Sequence, residues 1–142
     1  MAYFTHPLDI LNKYMIFRFE KKCIEVVVKA LNLSEKARRE GLLALEESIN
    51  EETYKDRNIF YYGMRLIIDG TDASFIDKLL SNMISHEKNK QKKLLKELQK
   101  QACLLIQEGT NTRLIEIMLL SLLNDKMAIR IKKYLDENII KD

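Results

Sequence analysis

A chain of 142 residues with a single proline and only four glycines has few places to turn. Sandwiches and barrels need many turn residues, so this scarcity argues against an all-β fold. Leu, Ile, Lys and Glu dominate, and all but Ile are strong helix formers. Hydrophobic residues make up 46% and charged residues 32%, which suits a packed core with a charged surface at about the size of one domain. The expected fold is therefore all-α: a multi-helix bundle with one long central helix and two glycine-capped corners.

Pro7 sits where a first helix can begin. From Leu8 to about Asn50 the pattern is helical almost without interruption. Leu8, Leu11, Tyr14 and Met15 recur at helical spacing, as do Cys23, Val26, Val27, Ala30 and Leu31. Asn32-Leu33-Ser34 is a weak point at which Ser34 can cap a fresh helix. The polar stretch 50–57 reads as a link. Ile59 to Ile68 is apolar at helical spacing and stops at Asp69-Gly70-Thr71-Asp72. Gly70 suits the left-handed position that closes a helix, and Asp72 suits the cap of the next. Glu108-Gly109-Thr110-Asn111 repeats the device, either as an internal repeat or as convergence on one corner chemistry. Leu66, Ile67, Phe75, Ile76, Leu79, Leu80 and Leu105, flanking these corners, are the expected core. Between them a helical pattern runs from about Ala73 to Gln107. Its middle, residues 85–93 (SHEKNKQKK), has no apolar residue and so stands in solvent, bends or links. The expected organisation is one helical domain over 1–142, or two packs (about 1–84 and 94–142) bridged by 85–93.

Little in the sequence carries chemistry. His6 and His86 are isolated, with no metal-ligand spacing, and no phosphate loop or nucleophile elbow is present. Cys23 and Cys103 lie within apolar stretches and read as reduced core thiols. No catalytic residue, cofactor or metal is expected. The longest predominantly apolar stretch, Ile117 to Leu123, is far short of the ~20 residues that span a bilayer. The N-terminus lacks the pattern of a signal peptide, so a cytoplasmic location is expected. Net charge is +3, too mild to compel a nucleic-acid reading. The lysines at 88, 90, 92, 93, 96 and 100 (Lys88, Lys90, Lys92, Lys93, Lys96, Lys100) form the one basic patch. They would serve an alternative function, binding nucleic acid or an anionic membrane surface. No arginine or aromatic residue interleaves them for base readout, which disfavours nucleic acid.

Three ordered motifs are more specific. Ala37-Arg38-Arg39-Glu40-Gly41-Leu42-Leu43-Ala44-Leu45-Glu46-Glu47 resembles the cytoplasmic helix of the flagellar stator subunit MotA, of the MotA/TolQ/ExbB channel family. Gly63 to Asp72 (GMRLIIDGTD) resembles that family's next helix and its DGTD corner. Leu105 to Glu116 (LIQEGTNTRLIE) is similar to the corner in its C-terminal cytoplasmic tail. The matches cover roughly residues 20–87 and 94–124. In the family a pair of transmembrane helices separates the second and third motifs, where this chain has SHEKNKQKK. Two more precede the first motif. Ala73 and Thr112 stand where the family has proline at the start of each new helix, a tolerable change. The chain thus resembles the cytoplasmic half of a stator subunit without its membrane half, either as a natural form or as an engineered deletion.

The resemblance implies a non-enzymatic role: protein–protein contact at the cytoplasmic face of the inner membrane, by the flagellar motor. Its implied partners are the rotor protein FliG or stator and accessory proteins. It places the implicated arginine and glutamate on Arg38 and Glu46. A helical wheel drawn through this segment puts Arg38 in line with Leu42, Leu45 and Ile49, its stem on the core. The same wheel puts Arg39, Leu43, Glu46 and Glu47 in solvent. Leu43 is then expected to be exposed in the monomer and covered by a partner or a second copy. Gly41, with Ala37 and Ala44, reads as a narrow strip for close helix packing.

Overall fold

The computed structural model describes residues 2–3, 18–49 and 58–140. The expectations for Pro7, the apolar positions 8–15, His6 and the link 50–57 fall outside them. The described residues form an all-α bundle of six α-helices and one 3-10 helix. In chain order these are α1 (Arg18–Glu40), the 3-10 helix η1 (Leu42–Ser48), α2 (Ile59–Ile68), α3 (Ala73–Ser85), α4 (Lys90–Gln107), α5 (Thr112–Leu120) and α6 (Asp125–Glu137). Two short strands, β1 (Ala2–Tyr3) and β2 (Ile139–Ile140), pair antiparallel, Ala2 opposite Ile140.

α4 is the central element, packed against α1, α2 and α3 and in contact with α5. It buries Leu98, Ala102, Cys103 and Ile106. From the other elements Ile24, Leu31, Met64, Ile67, Ile76, Leu80, Ile115 and Tyr134 join the same cluster. α1 runs unbroken past Ser34, which is not a new cap. Ser34 is buried, and its hydroxyl lies 3.0 Å from that of Thr112 on α5.

The two glycine corners have one geometry. Thr71 N–H donates to Leu66 O and Gly70 N–H to Ile67 O; Thr110 N–H donates to Leu105 O and Gly109 N–H to Ile106 O. Both are the Schellman closure. Asn111 caps α5 through Arg113 N–H, whereas the Asp72 carboxylate accepts from the Ser74 hydroxyl instead. Gln107 ties the corners together, its amide donating to Thr71 O at 2.7 Å.

The expected long central helix is two helices. The chain turns at His86–Asn89 and α4 packs back on α3. Glu87 accepts from Asn89 N–H, and the Asn89 side chain accepts from Lys92 N–H, capping α4. Lys100 reaches across to Asp77 (3.2 Å) and to the Ser81 hydroxyl (3.0 Å). The physical reason is burial: folding back covers Ile84 and Leu98, which one straight helix would leave half-wet. Phe75, expected in the core, is 55% exposed on the outer side of α3. Leu66, Leu79 and Leu105 are half-buried, and Ile67, Ile76 and Leu80 buried.

α6 is clipped on by two buried carboxylates. Glu20 of α1 accepts from Nε and one terminal nitrogen of the Arg130 guanidinium, and Glu116 of α5 receives Lys132 at 2.7 Å. Hydrogen bonding to these carboxylates raises the pKa of Arg130 and Lys132 above the ordinary values.

Candidate functional site

The first motif does not fold as one helix. α1 stops at Glu40, and Gly41 takes φ +91°, a conformation side chains disfavour. Gly41 N–H still donates to Ala37 O at 2.8 Å, and the chain then restarts as η1. A wheel drawn straight through Gly41 therefore misplaces its neighbours. Gly41 is exposed, and nothing lies near the side it would present to a partner helix; the close-packing strip is not there. Arg38 is exposed. Leu45 alone of its expected companions is fully buried, with Leu42 and Ile49 half-buried.

The break makes a ledge. Glu46 accepts from Arg65 of α2 at 3.1 Å and Glu47 from Lys36 of α1 at 3.2 Å, so both carboxylates tether η1 to the bundle while remaining on its surface. Leu43, on η1, is 72% exposed. Arg38 and Arg39, in the last turn of α1, are exposed, and neither is in an ion pair among the described residues. The ledge offers two cations and an apolar knob, a combination suited to a protein surface of acidic and apolar character.

The six lysines of the basic patch separate into two groups. Lys96 holds Glu87 at 3.0 Å, and Lys100 is buried against Asp77 and Glu97. Both secure the α3–α4 hairpin. The hydrogen bond from Lys96 and that from Asn89 N–H lower the Glu87 pKa below its ordinary value. Lys88, Lys90, Lys92 and Lys93 are exposed around the start of α4.

A second surface escaped the sequence reading. Leu114, Ile117 and Met118 on α5 and Ile129 on α6 are each about half exposed or more. Ile117 and Ile129 line one groove together with Leu120 and Ala128. The i, i+3, i+4 spacing of 114, 117 and 118 was a readable stripe, but an apolar stripe in sequence does not say which side of a helix the core takes. The cysteines offer no nucleophile: burial pushes both thiols up to about 12.

Over 62 residues this chain is 42% identical to motility protein A of Treponema phagedenis. Over 62 residues it is 39% identical to motility protein A of Treponema pallidum (strain Nichols). The chain is similar to motility protein A. That of Borreliella burgdorferi is 37% identical over 73 residues. These matches cover 44–47% of this chain and 23–26% of each relative, so the chain spans about a quarter of the length of the curated motility proteins it matches. No family model matches the chain, and no solved structure matches it. Among the described residues no helix is long and apolar enough to cross a membrane. The likeness to motility protein A thus concerns a part of that protein, in a chain whose described helices pack on one another.

Proposed function

We propose that this chain is a non-enzymatic protein–protein contact component of a flagellar motor, a stator-like module working at the cytoplasmic face of the inner membrane. The likeness to motility protein A carries this reading. The contact surface is the ledge: Arg38, Arg39 and Leu43 meet the partner, and Glu46 and Glu47 hold η1 in place beneath it. The partner is the rotor protein FliG or another protein of the motor. The test is a photo-crosslinking residue at position 43 in the full chain, expressed in motile flagellated cells, with adducts identified by mass spectrometry. The expected adduct is a motor protein. Adducts confined to proteins outside the motor would overturn the proposal.

A further inference from the structure

α6 buries Met127, Ile131, Tyr134 and Leu135, which fall on one side of the helix. Ile129 stands on the opposite side, 68% exposed. On α5, Leu114, Ile117 and Met118 are exposed at i, i+3 and i+4. These are four of the six large apolar side chains exposed among the described residues. The exposure is thus concentrated on two consecutive helices rather than scattered singly over the surface. Ile117 and Ile129 face one open groove of about 640 Å³, which Leu120 and Ala128 also line.

Charge selects the occupant. The groove carries two lysines, Lys132 and Lys133, and two carboxylates, Asp136 and Glu137. An anionic membrane calls for a net positive face, and this lining is balanced. Lys132 is held within the chain by Glu116 at 2.7 Å and Asp136 at 2.9 Å. Asp125 and Lys133 are exposed on the same side of α6 as Ile129, four positions before it and four after. Neither is in an ion pair among the described residues. When two copies of α6 cross antiparallel at Ile129, residues equidistant from it come opposite one another. Lys133 of each copy then faces Asp125 of the other, twice by symmetry. Lys126 comes opposite Lys132, whose charge its own carboxylates already offset.

We propose that the α5–α6 face is a twofold interface with a second copy of this chain, the α6 helices antiparallel and Ile129 of each copy over the groove of the other. The ledge takes no part, and the inference does not depend on the motor reading.

The test is sedimentation equilibrium of the full chain up to the millimolar range, with circular dichroism to confirm helicity in every variant. The parent mass is expected to rise from 16.7 kDa toward twice that value. Ile129→Asp is expected to weaken self-association roughly tenfold or more, as for an anchor at an interface centre. Lys133→Asp sets like charges against each other and should weaken it about fivefold. D125K/K133D reverses both charges and should restore the parent's association, while Leu43→Asp, on the ledge, should associate as the parent does. A parent that stays monomeric overturns the proposal, and its binding to phosphatidylglycerol vesicles would then assign the face to a membrane. Association undiminished in Ile129→Asp overturns it too, as does a double variant no better than Lys133→Asp alone. A dimer lost in Leu43→Asp would move the interface to the ledge and likewise overturn it.

Discussion

A methyl group placed on Gly63 would lie 2.5 Å from the Cys103 sulfur and 3.3 Å from a methyl of Leu80. That glycine lets α2 approach α4, and the neighbouring sulfur belongs to a fully buried side chain with no room to withdraw. Gly63→Ala is expected to cost roughly 1–3 kcal/mol by overpacking, read by urea denaturation. Gly41→Ala has open space around it, so its cost is the positive-φ extended backbone alone (φ +91°, ψ 163°), roughly 1–3 kcal/mol. No loss at Gly63 would contradict the overpacking there, and no loss at Gly41 would contradict the backbone cost. The sequence led to the opposite emphasis, because a glycine inside a helix and a glycine that breaks one look alike on a wheel. The cysteines were legible, since their apolar neighbours in sequence are also their neighbours in space. Both thiols lie at about 12 against an ordinary 9.0. The unfolded chain releases those protons first, so their contribution to stability is complete below pH 9 and fades as pH rises toward 12. At pH 8 a thiol reagent should label native protein slowly and denatured protein at two sites; fast native labelling would contradict the burial.

At the scale of elements, the glycine corners were readable and the hairpin was not. Gly-Thr-Asp and Gly-Thr-Asn announce a Schellman closure locally. Nothing so explicit marks His86–Asn89, where no glycine or proline interrupts residues that all tolerate helix. The turn is decided by partners distant in sequence: Asp77 for Lys100, and the buried cluster for Ile84 and Leu98. The one local signal was Asn89, whose side chain caps α4. Asn89→Ala is expected to destabilise by about 1 kcal/mol, measured by thermal unfolding; no change would mean that the turn does not rely on its cap. The Glu87–Lys96 pair beside it has a definite pH sense. Its carboxyl pKa is lowered on folding, so the pair helps stability above the ordinary value of 4.5, and that help disappears as pH falls through the lower folded value. Carboxyl chemical shifts followed by acid titration should show Glu87 protonating below the ordinary value of 4.5. Protonation at that ordinary value would show the pair to be unimportant.

For the whole molecule, the helical class followed from composition and spacing, and the likeness to motility protein A from three short motifs. The arrangement of the ledge did not, because the break at Gly41 rotates everything after it. Glu46 and Glu47, expected to make contact, are exposed and also paired within the chain, to Arg65 of α2 and Lys36 of α1. Arg38, expected to lay its stem on the core with its head in solvent, is exposed at the end of α1. This gives the central claim a sharp form: the partner is held by Leu43 and the arginines, while the glutamates act by keeping the ledge in shape. The most direct measurement is isothermal titration of the full chain against purified FliG, comparing the parent with Leu43→Asp and with Arg38→Glu/Arg39→Glu. The account predicts measurable binding by the parent and at least a roughly tenfold loss in each variant, as for contact residues near an interface centre, with helicity unchanged. Binding that survives both substitutions undiminished would contradict it.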